Sequence, residues 1–222
     1  MNNIDMKRII SNIFGIDISI FLLFAIILFV FVFPAIDHGF MHDYVSLIAY
    51  ALVLLSIFSI IHDKYKWVRI IIIISVISIT MLFFTDNRET TSFVFLISAI
   101  TFTITAIILI KEIAATKEVG LNVVILAISG YLLIGIIGAL INTILLAYDP
   151  GAINIDSGTD RFSSVIYYSF ITLTTIGYGE IVPQTVIARS ISIFLGAAGQ
   201  IYLTVIIAMI VGKYLSFRSL SE

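Results

Sequence analysis

The chain has 222 residues, of which 60% are hydrophobic and only 12% are charged, whereas soluble domains are about 45–50% apolar and about 25% charged. This composition excludes a soluble globular protein, because a domain of this length cannot bury so much apolar surface and still present a polar exterior. The net charge of −2 provides no basic field for nucleic acid, and the absence of Cys excludes disulfides and thiolate metal sites.

Six apolar runs are long enough to cross a bilayer as helices, which requires about 20 residues, with a range of about 17 to 25. In chain order the predicted spans are Ile18–Ile36, Tyr44–Ile61, Trp67–Thr85, Phe93–Ile110, Leu121–Ala147 and Ile187–Leu215. The last two are longer and imply tilt or extension into water. We expect helices even where β-branched residues are frequent, because lipid offers no hydrogen-bond partners to an open backbone.

The distribution of basic residues predicts the orientation, since Lys and Arg accumulate in cytoplasmic loops. With the N-terminus inside, the inner side holds Lys7, Arg8, Lys64, Lys66, Arg69, Lys111, Lys117, Lys213 and Arg218, and the outer side holds only Arg88, Arg161 and Arg189. The outer loops carry Asp37, Asp43, Asp86, Glu89, Asp149, Asp156, Asp160 and Glu180. We therefore expect a multi-pass protein of the cell membrane with both termini cytoplasmic and an anionic outer face that concentrates cations.

The segment between the last two spans carries the functional signal. A polar loop from Tyr148 to Arg161 precedes a short apolar stretch, Ser163–Thr174, which is too short to cross the bilayer and predicts a re-entrant helix. The sequence TTIGYGEIVP follows, from Thr174 to Pro183. Successive carbonyls can point the same way only if the backbone alternates between ordinary and left-handed conformations, and the alternate glycines Gly177 and Gly179 permit this.

Four such segments around an axis would stack rings of carbonyl oxygens that replace the hydration shell of an ion. The rings would come from Thr175, Ile176, Gly177 and Tyr178, with the Thr175 hydroxyl as an inner ring. Neutral dipoles at this spacing suit a large monovalent cation, whereas a divalent site would need ionised carboxylates.

Here the sequence resembles the potassium channel pore family, whose filter TVGYG is matched as TIGYG at Thr175–Gly179. The resemblance runs from about Leu121 to Leu215, through YYSFITLTTIGYGEIVP and the stretch GQIYLTVIIAMIVG of the sixth span. It implies a filter of Thr175, Ile176, Gly177, Tyr178 and Gly179 that binds potassium at Thr175 to Tyr178. It also implies supporting residues at Thr174, Tyr167, Tyr168 and Glu180, with the two tyrosines of the pore helix bracing Tyr178.

Glu180 departs from the family, which usually has Asp at this position. Its longer side chain can still accept a hydrogen bond from Tyr167 or Tyr168, but the packing behind the filter and its inactivation are expected to differ. Gly196 and Gly199 in the sixth span are candidate gating hinges, with close helix packing as the alternative explanation. In the fifth span, Gly130, Gly135 and Gly138 are expected to permit close helix contact.

The fourth span lacks the regularly spaced charges of a voltage sensor, since no basic residue lies between Glu89 and Lys111. Moving one charge through 100 mV is worth about 2.3 kcal/mol, so this segment cannot gate steeply by that route. The predicted organisation is a four-helix membrane domain over residues 1–110, a linker over 111–120 along the inner surface, and a pore domain over 121–222. His38 and His42 are expected in a solvated outer loop, with a pH effect or a metal site as less favoured alternatives.

The sequence therefore predicts an all-α integral membrane protein with six transmembrane helices, a re-entrant pore helix and a selectivity filter, assembled as a homotetramer that conducts potassium passively and catalyses no covalent reaction. No cofactor and no nucleic acid are expected; the partners are lipid, potassium ions and identical subunits. The alternatives are a non-selective monovalent cation channel of the same architecture and a non-conducting structural or regulatory subunit. A secondary transporter or a membrane enzyme is disfavoured, since neither inverted repeats nor an intramembrane acid, base or nucleophile cluster is apparent.

Overall fold

The computed structural model describes residues 18–32, 40–60, 65–83, 87–116, 120–155 and 161–219. The described residues form helices joined by short connections, with a single antiparallel β-bridge between Ile153 and Pro183. The helices are α1 (Ile18–Val32, with a π-helical last turn), α2 (Phe40–Ile60), α3 (Lys66–Thr80), α4 (Arg88–Ala115), α5 (Leu121–Tyr148), α6 (Arg161–Leu173) and α7 (Val186–Ser219). The all-helical prediction is confirmed over this part of the chain.

Among the described residues, three helices, α4, α5 and α7, are long and apolar enough to cross a membrane. A helix rises 1.5 Å per residue, so each exceeds the roughly 30 Å hydrocarbon core. Their length and apolar composition support the prediction of a membrane protein. The helices α1, α2 and α3 lie within or overlap the first three predicted spans, and the total of six spans stays a prediction.

Several boundaries differ from the sequence prediction. Helix α2 begins at Phe40 rather than at Tyr44, so that His42 lies in a helix and not in a loop. Helix α3 ends at Thr80, where a 3₁₀ turn follows, rather than continuing to Thr85. The hydroxyls of Ser78 and Thr80 bond to carbonyls three residues earlier, at 3.0 and 2.7 Å, and such bonds tighten a helix towards 3₁₀ geometry.

The predicted linker over residues 111–120 is helical in its first half, because α4 continues through Lys111 to Ala115. The C-cap of the helix is Thr116, whose backbone is extended with a ψ of 128°, and the Thr116 hydroxyl and N–H both donate to the Glu112 carbonyl, at 2.7 and 3.0 Å. Helix α5 starts only five residues later, at Leu121. The two helices are therefore joined by a short connection.

Helix α5 is the central element, because it packs against α4 on one side and against α6 and α7 on the other. Its glycines permit this close contact. A side chain at Gly135 would lie 2.5 Å from the Phe170 ring of α6, and one at Gly138 would lie 2.7 Å from Leu195 of α7. A Cβ at Gly130 would clash with the Tyr202 hydroxyl. The prediction of close helix packing at these glycines is confirmed.

Candidate functional site

The TIGYG segment begins at the carboxyl end of α6, which ends at Leu173. The backbone N–H and hydroxyl of Thr174 both donate to the Phe170 carbonyl, at 2.9 and 2.7 Å. The Thr175 N–H donates to Thr172 at 3.1 Å, and the Gly177 N–H donates to Ile171 at 3.1 Å. The last carbonyls of α6 therefore hold the inner end of the segment, and their partial negative charge lies beside it, which favours a cation.

The backbone of the segment alternates as the sequence predicts. Positive φ values occur at Thr175 (59°), Gly177 (53°) and Gly179 (93°), separated by Ile176 and Tyr178 with ordinary φ. Sequence reasoning identified the two glycines but missed Thr175, which is the only non-glycine with positive φ among the described residues. A β-branched residue in this region is a conformational outlier that costs about 1–3 kcal/mol. The alternation therefore extends through the whole segment.

Within a single chain, the side chains of the TIGYG segment are left largely exposed. The side chain of Ile176 is 56% exposed and that of Tyr178 is 74% exposed, although both are large and apolar or aromatic. Adjacent Glu180 is also exposed, whereas Leu173 at the end of α6 is buried. The chain alone therefore leaves this face of the segment uncovered.

Tyr167 of α6 bonds to the residue that follows the segment. Its hydroxyl donates a short hydrogen bond to the Glu180 carboxylate, as the sequence analysis allowed. This bond, with smaller contributions from desolvation and from the charges of Glu180 and Tyr178, raises the pKa of Tyr167 from 10.0 to about 12. The phenol therefore remains a donor at pH values where an ordinary tyrosine ionises.

Tyr168 bonds to a different element within the chain, and the prediction that both tyrosines brace Tyr178 stays a prediction. Tyr168 is only 2% exposed, and its hydroxyl forms a 2.5 Å hydrogen bond with Ser192 of α7. Consecutive helical residues point about 100° apart, so that α6 directs Tyr167 to the outer end of the segment and Tyr168 to α7. Within one chain, Tyr168 fastens α6 to α7.

A second contact that sequence reasoning missed lies at the outer end. The bridge between Ile153 and Pro183 pairs the loop after α5 with the residues after the TIGYG segment. The Gln184 N–H donates to Ala152 at 2.8 Å, and the Asn154 N–H donates to Val182 at 3.2 Å. The turn signal Asp149-Pro150-Gly151 predicts a reversal here, but nothing local in the sequence identifies the partner strand.

At the inner end, Gln200 of α7 donates a 3.4 Å hydrogen bond to the Thr175 hydroxyl, which the sequence analysis did not anticipate. The neighbouring candidate hinges differ from each other. A Cβ at Gly199 would clash with the Leu173 carbonyl, whereas one at Gly196 would lie 3.6 Å from the Thr172 carbonyl, an ordinary contact. Close packing against α6 therefore accounts for Gly199, and a hinge at either glycine stays a prediction.

The described residues include no group of three or more His, Asp or Glu side chains that could hold a metal ion. His38 lies outside the described residues, as does the side chain of His42. A pH effect or a metal site at these histidines stays a prediction, whereas the placement of His42 in a loop is corrected by its position in α2. Helix α4 is described over its full length and contains no basic residue between Glu89 and Lys111. The site of interest is therefore the TIGYG segment with its supports on α5, α6 and α7.

Comparison with known proteins points to the same region. A family model described as "Ion channel" matches residues 121–216, which include α5, α6, the TIGYG segment and almost all of α7. Two-pore potassium channel 4 of Arabidopsis thaliana is 33% identical over 60 residues, which is 27% of this chain and 21% of that protein. Probable potassium channel protein 2 of Methanocaldococcus jannaschii is 34% identical over 92 residues, 39% of this chain and 26% of that protein.

The chain thus spans about a quarter or less of the length of these curated relatives. No solved structure matches it significantly. The matching family is an ion channel family and not an enzyme family. The part of the chain that builds the candidate site is therefore similar in sequence to ion channels.

Proposed function

We propose that the chain is one subunit of a homotetrameric, potassium-selective channel that conducts potassium passively across the cell membrane. The observation that carries the proposal is the alternation of positive φ at Thr175, Gly177 and Gly179, directly after a short re-entrant helix and before a long apolar helix. Such a backbone can turn consecutive carbonyl oxygens towards one side, which is the arrangement that a dehydrated cation requires.

In the proposed channel, four chains enclose the axis, and carbonyls from Thr175, Ile176, Gly177 and Tyr178 coordinate the ions, with the Thr175 hydroxyl at the inner end. Neutral oxygens replace water around a large monovalent ion without trapping it, because neighbouring ions repel each other. Potassium is the cargo in this account, and no cofactor or covalent step is required.

Exposed apolar surface supports assembly from several chains. Only 22% of the most apolar stretch of α7 is buried within the chain, against 50% in α4 and 56% in α5. Ile193 and Phe194 are each 73% exposed, and Ile176 and Tyr178 of the proposed filter are uncovered as well. One chain contributes a single filter segment, so closure around an ion requires copies related by rotational symmetry.

The first four helices are proposed to form a membrane domain that does not gate the pore steeply by voltage, because α4 has no basic residue in its membrane-crossing part. Residues 121–222 are proposed to form the pore domain. Gating is proposed to act within the membrane or the filter, with Gly196 and Gly199 as candidate hinges.

The experiment is a potassium flux assay on purified protein in liposomes. Potassium efflux that exceeds empty liposomes and excludes sodium supports the proposal. Equal potassium and sodium flux favours the non-selective cation channel, and no flux from a correctly assembled oligomer favours the non-conducting subunit.

A further inference from the structure

We propose that Asn154 is a positioning residue that fixes the outer end of the filter. This inference rests on the proposed function, because it assigns a role in ion binding to a residue outside the TIGYG segment. Asn154 lies in the loop between α5 and α6, more than twenty residues before the filter. It touches no ion in the proposed channel and acts through the backbone that follows Gly179.

Asn154 holds that backbone with both ends of its side-chain amide. The Nδ2 group donates to the Glu180 carbonyl at 3.2 Å, and Oδ1 accepts a short hydrogen bond from the Val182 N–H. Its backbone N–H also donates to the Val182 carbonyl at 3.2 Å. These three hydrogen bonds thus restrain Glu180 and Val182, the first and third residues after the filter.

The loop that carries Asn154 is itself anchored. The Asp149 N–H bonds to the Leu145 carbonyl of α5 at 2.8 Å, and the Ala152 N–H bonds to the Asp149 carbonyl at 3.0 Å. Ala152 and Ile153 are 0% and 2% exposed, so that they are packed into the core beneath the loop. Asn154 is therefore carried by a loop whose start is bonded to α5, the helix that packs against α6 and α7.

Glu180 is consequently held from two directions. Tyr167 of α6 bonds to its carboxylate, and Asn154 bonds to its main-chain carbonyl. The preceding residue is Gly179, which has a φ of 93° and no side chain that could restrain its backbone. Fixing Glu180 at both points restricts the peptide groups of Tyr178 and Gly179, and with them the outermost carbonyl ring of the proposed filter.

Asn suits this role because one planar group supplies a donor and an acceptor. Ionised Asp has the same shape and accepts from the Val182 N–H, but it cannot donate to the Glu180 carbonyl and instead repels that oxygen. Ala removes both side-chain bonds. The substitutions Asn154→Ala and Asn154→Asp therefore separate the contribution of the donor from that of the whole amide.

The test measures how potassium protects the purified full-length oligomer against thermal unfolding. Potassium that binds the folded filter stabilises the protein by mass action, and this protection begins when the potassium concentration exceeds the dissociation constant, so the onset concentration reports filter affinity. We expect Asn154→Ala to raise this onset concentration about tenfold, which corresponds to about 1.4 kcal/mol. Asn154→Asp should raise it at least as much, and the stability deficit of both variants relative to the wild type should grow as potassium is added.

The matched control is Gln184→Ala, which removes an exposed amide two residues beyond Val182 while keeping the Gln184 N–H bond to Ala152. Its potassium dependence should equal that of the wild type. The inference is overturned if Asn154→Ala and Asn154→Asp leave the onset concentration unchanged, or if they lower stability equally at every potassium concentration. If Asn154→Ala does not assemble, the isosteric Asn154→Asp decides by the same criteria. A wild-type protein insensitive to potassium contradicts the proposed function itself, and the inference with it.

Discussion

The positive φ values of the TIGYG segment make single residues sensitive to substitution. At Gly179 the φ of 93° is strained for any residue with a Cβ, although no atom lies within 4 Å of the position that a Cβ would occupy. The expected effect of a substitution is therefore conformational and not a steric clash. An L-residue in the left-handed region costs roughly 1–2 kcal/mol.

We predict that Gly179→Ala abolishes selective potassium conduction while leaving assembly and membrane insertion largely intact. The measurement is potassium flux in liposomes together with the oligomer mass in detergent. The control is Gly212→Ala, because Gly212 lies within helix α7 and a Cβ there would also meet no atom. Unchanged selectivity in Gly179→Ala would contradict the filter assignment.

The bond between Tyr167 and Glu180 predicts a pH dependence. Because the pKa of Tyr167 is raised from 10.0 to about 12, the bond is fully present below pH 10 and is lost only as the pH rises through about 12. The phenolate absorbance of the wild type minus that of Tyr167→Phe should therefore show a tyrosine that titrates well above its ordinary range. If this difference in phenolate absorbance instead rises near pH 10, the bond is absent.

At this scale, the residue types of the filter and the bond between Tyr167 and Glu180 could be predicted from the sequence, but the supporting contacts of Asn154 and Gln200 could not. Gly177 and Gly179 are recognisable because few residues other than glycine adopt positive φ readily. The positive φ at Thr175 is imposed by its neighbours against its own preference. Asn154 is separated from its partners by 26 and 28 residues, and no periodicity links such positions.

Among the helices, the inner end of α7 is fastened to the end of α4 by Lys213. Its ammonium group donates to the carbonyls of Ile113, Ala114 and Thr116, at 2.7, 2.8 and 2.6 Å. The last carbonyls of a helix have no partner within the helix, and a cation there is favourable. The Lys213 side chain, on the proposed pore-lining helix, thus supplies hydrogen-bond donors to the carbonyls at the end of α4, the last helix of the proposed membrane domain.

We predict that Lys213→Met lowers the free energy of unfolding by about 1–2 kcal/mol, because three charge-assisted bonds are lost at a partly exposed helix end. Thermal unfolding in mild detergent measures the change. Lys111→Met is the control, since Lys111 is exposed on α4, one turn before the end that Lys213 caps. Equal stability of the two variants would show that the Lys213 bonds contribute nothing.

The existence of the helices could be predicted from the sequence, whereas most of the residues at which they begin and end could not. Apolar runs predicted α5 to within one residue, because its length and composition are decided by the membrane. Helix α4 extends further than its apolar run at both ends, from Arg88 to Ala115. Its N-terminus is set by Asn87, whose side chain accepts from the Glu89 N–H at 3.1 Å, and a hydropathy window does not register such caps.

Over the whole molecule, the charge of α4 predicts weak voltage dependence. Gating energy scales with the charge moved through the field, at about 2.3 kcal/mol per charge per 100 mV. Because α4 carries no basic residue between Glu89 and Lys111, we predict an open probability that changes little with voltage. Recordings from purified protein in planar bilayers test this, and steep activation traced to the first four helices would contradict it.

Assembly is the feature of the whole molecule that one sequence least determines. Lipid or other chains can cover the exposed apolar residues of α7, so both the assembly and the number of copies are proposed from the need to enclose an ion. The similarity to ion channels over residues 121–216 covers the elements that would line such a pore.

The most direct test of the central proposal is the reversal potential of currents through the purified protein with potassium on one side of a planar bilayer and sodium on the other. The account predicts a potassium permeability at least about tenfold above that of sodium, equivalent to about 1.4 kcal/mol or more between the two ions. Equal permeability of the two ions would contradict it.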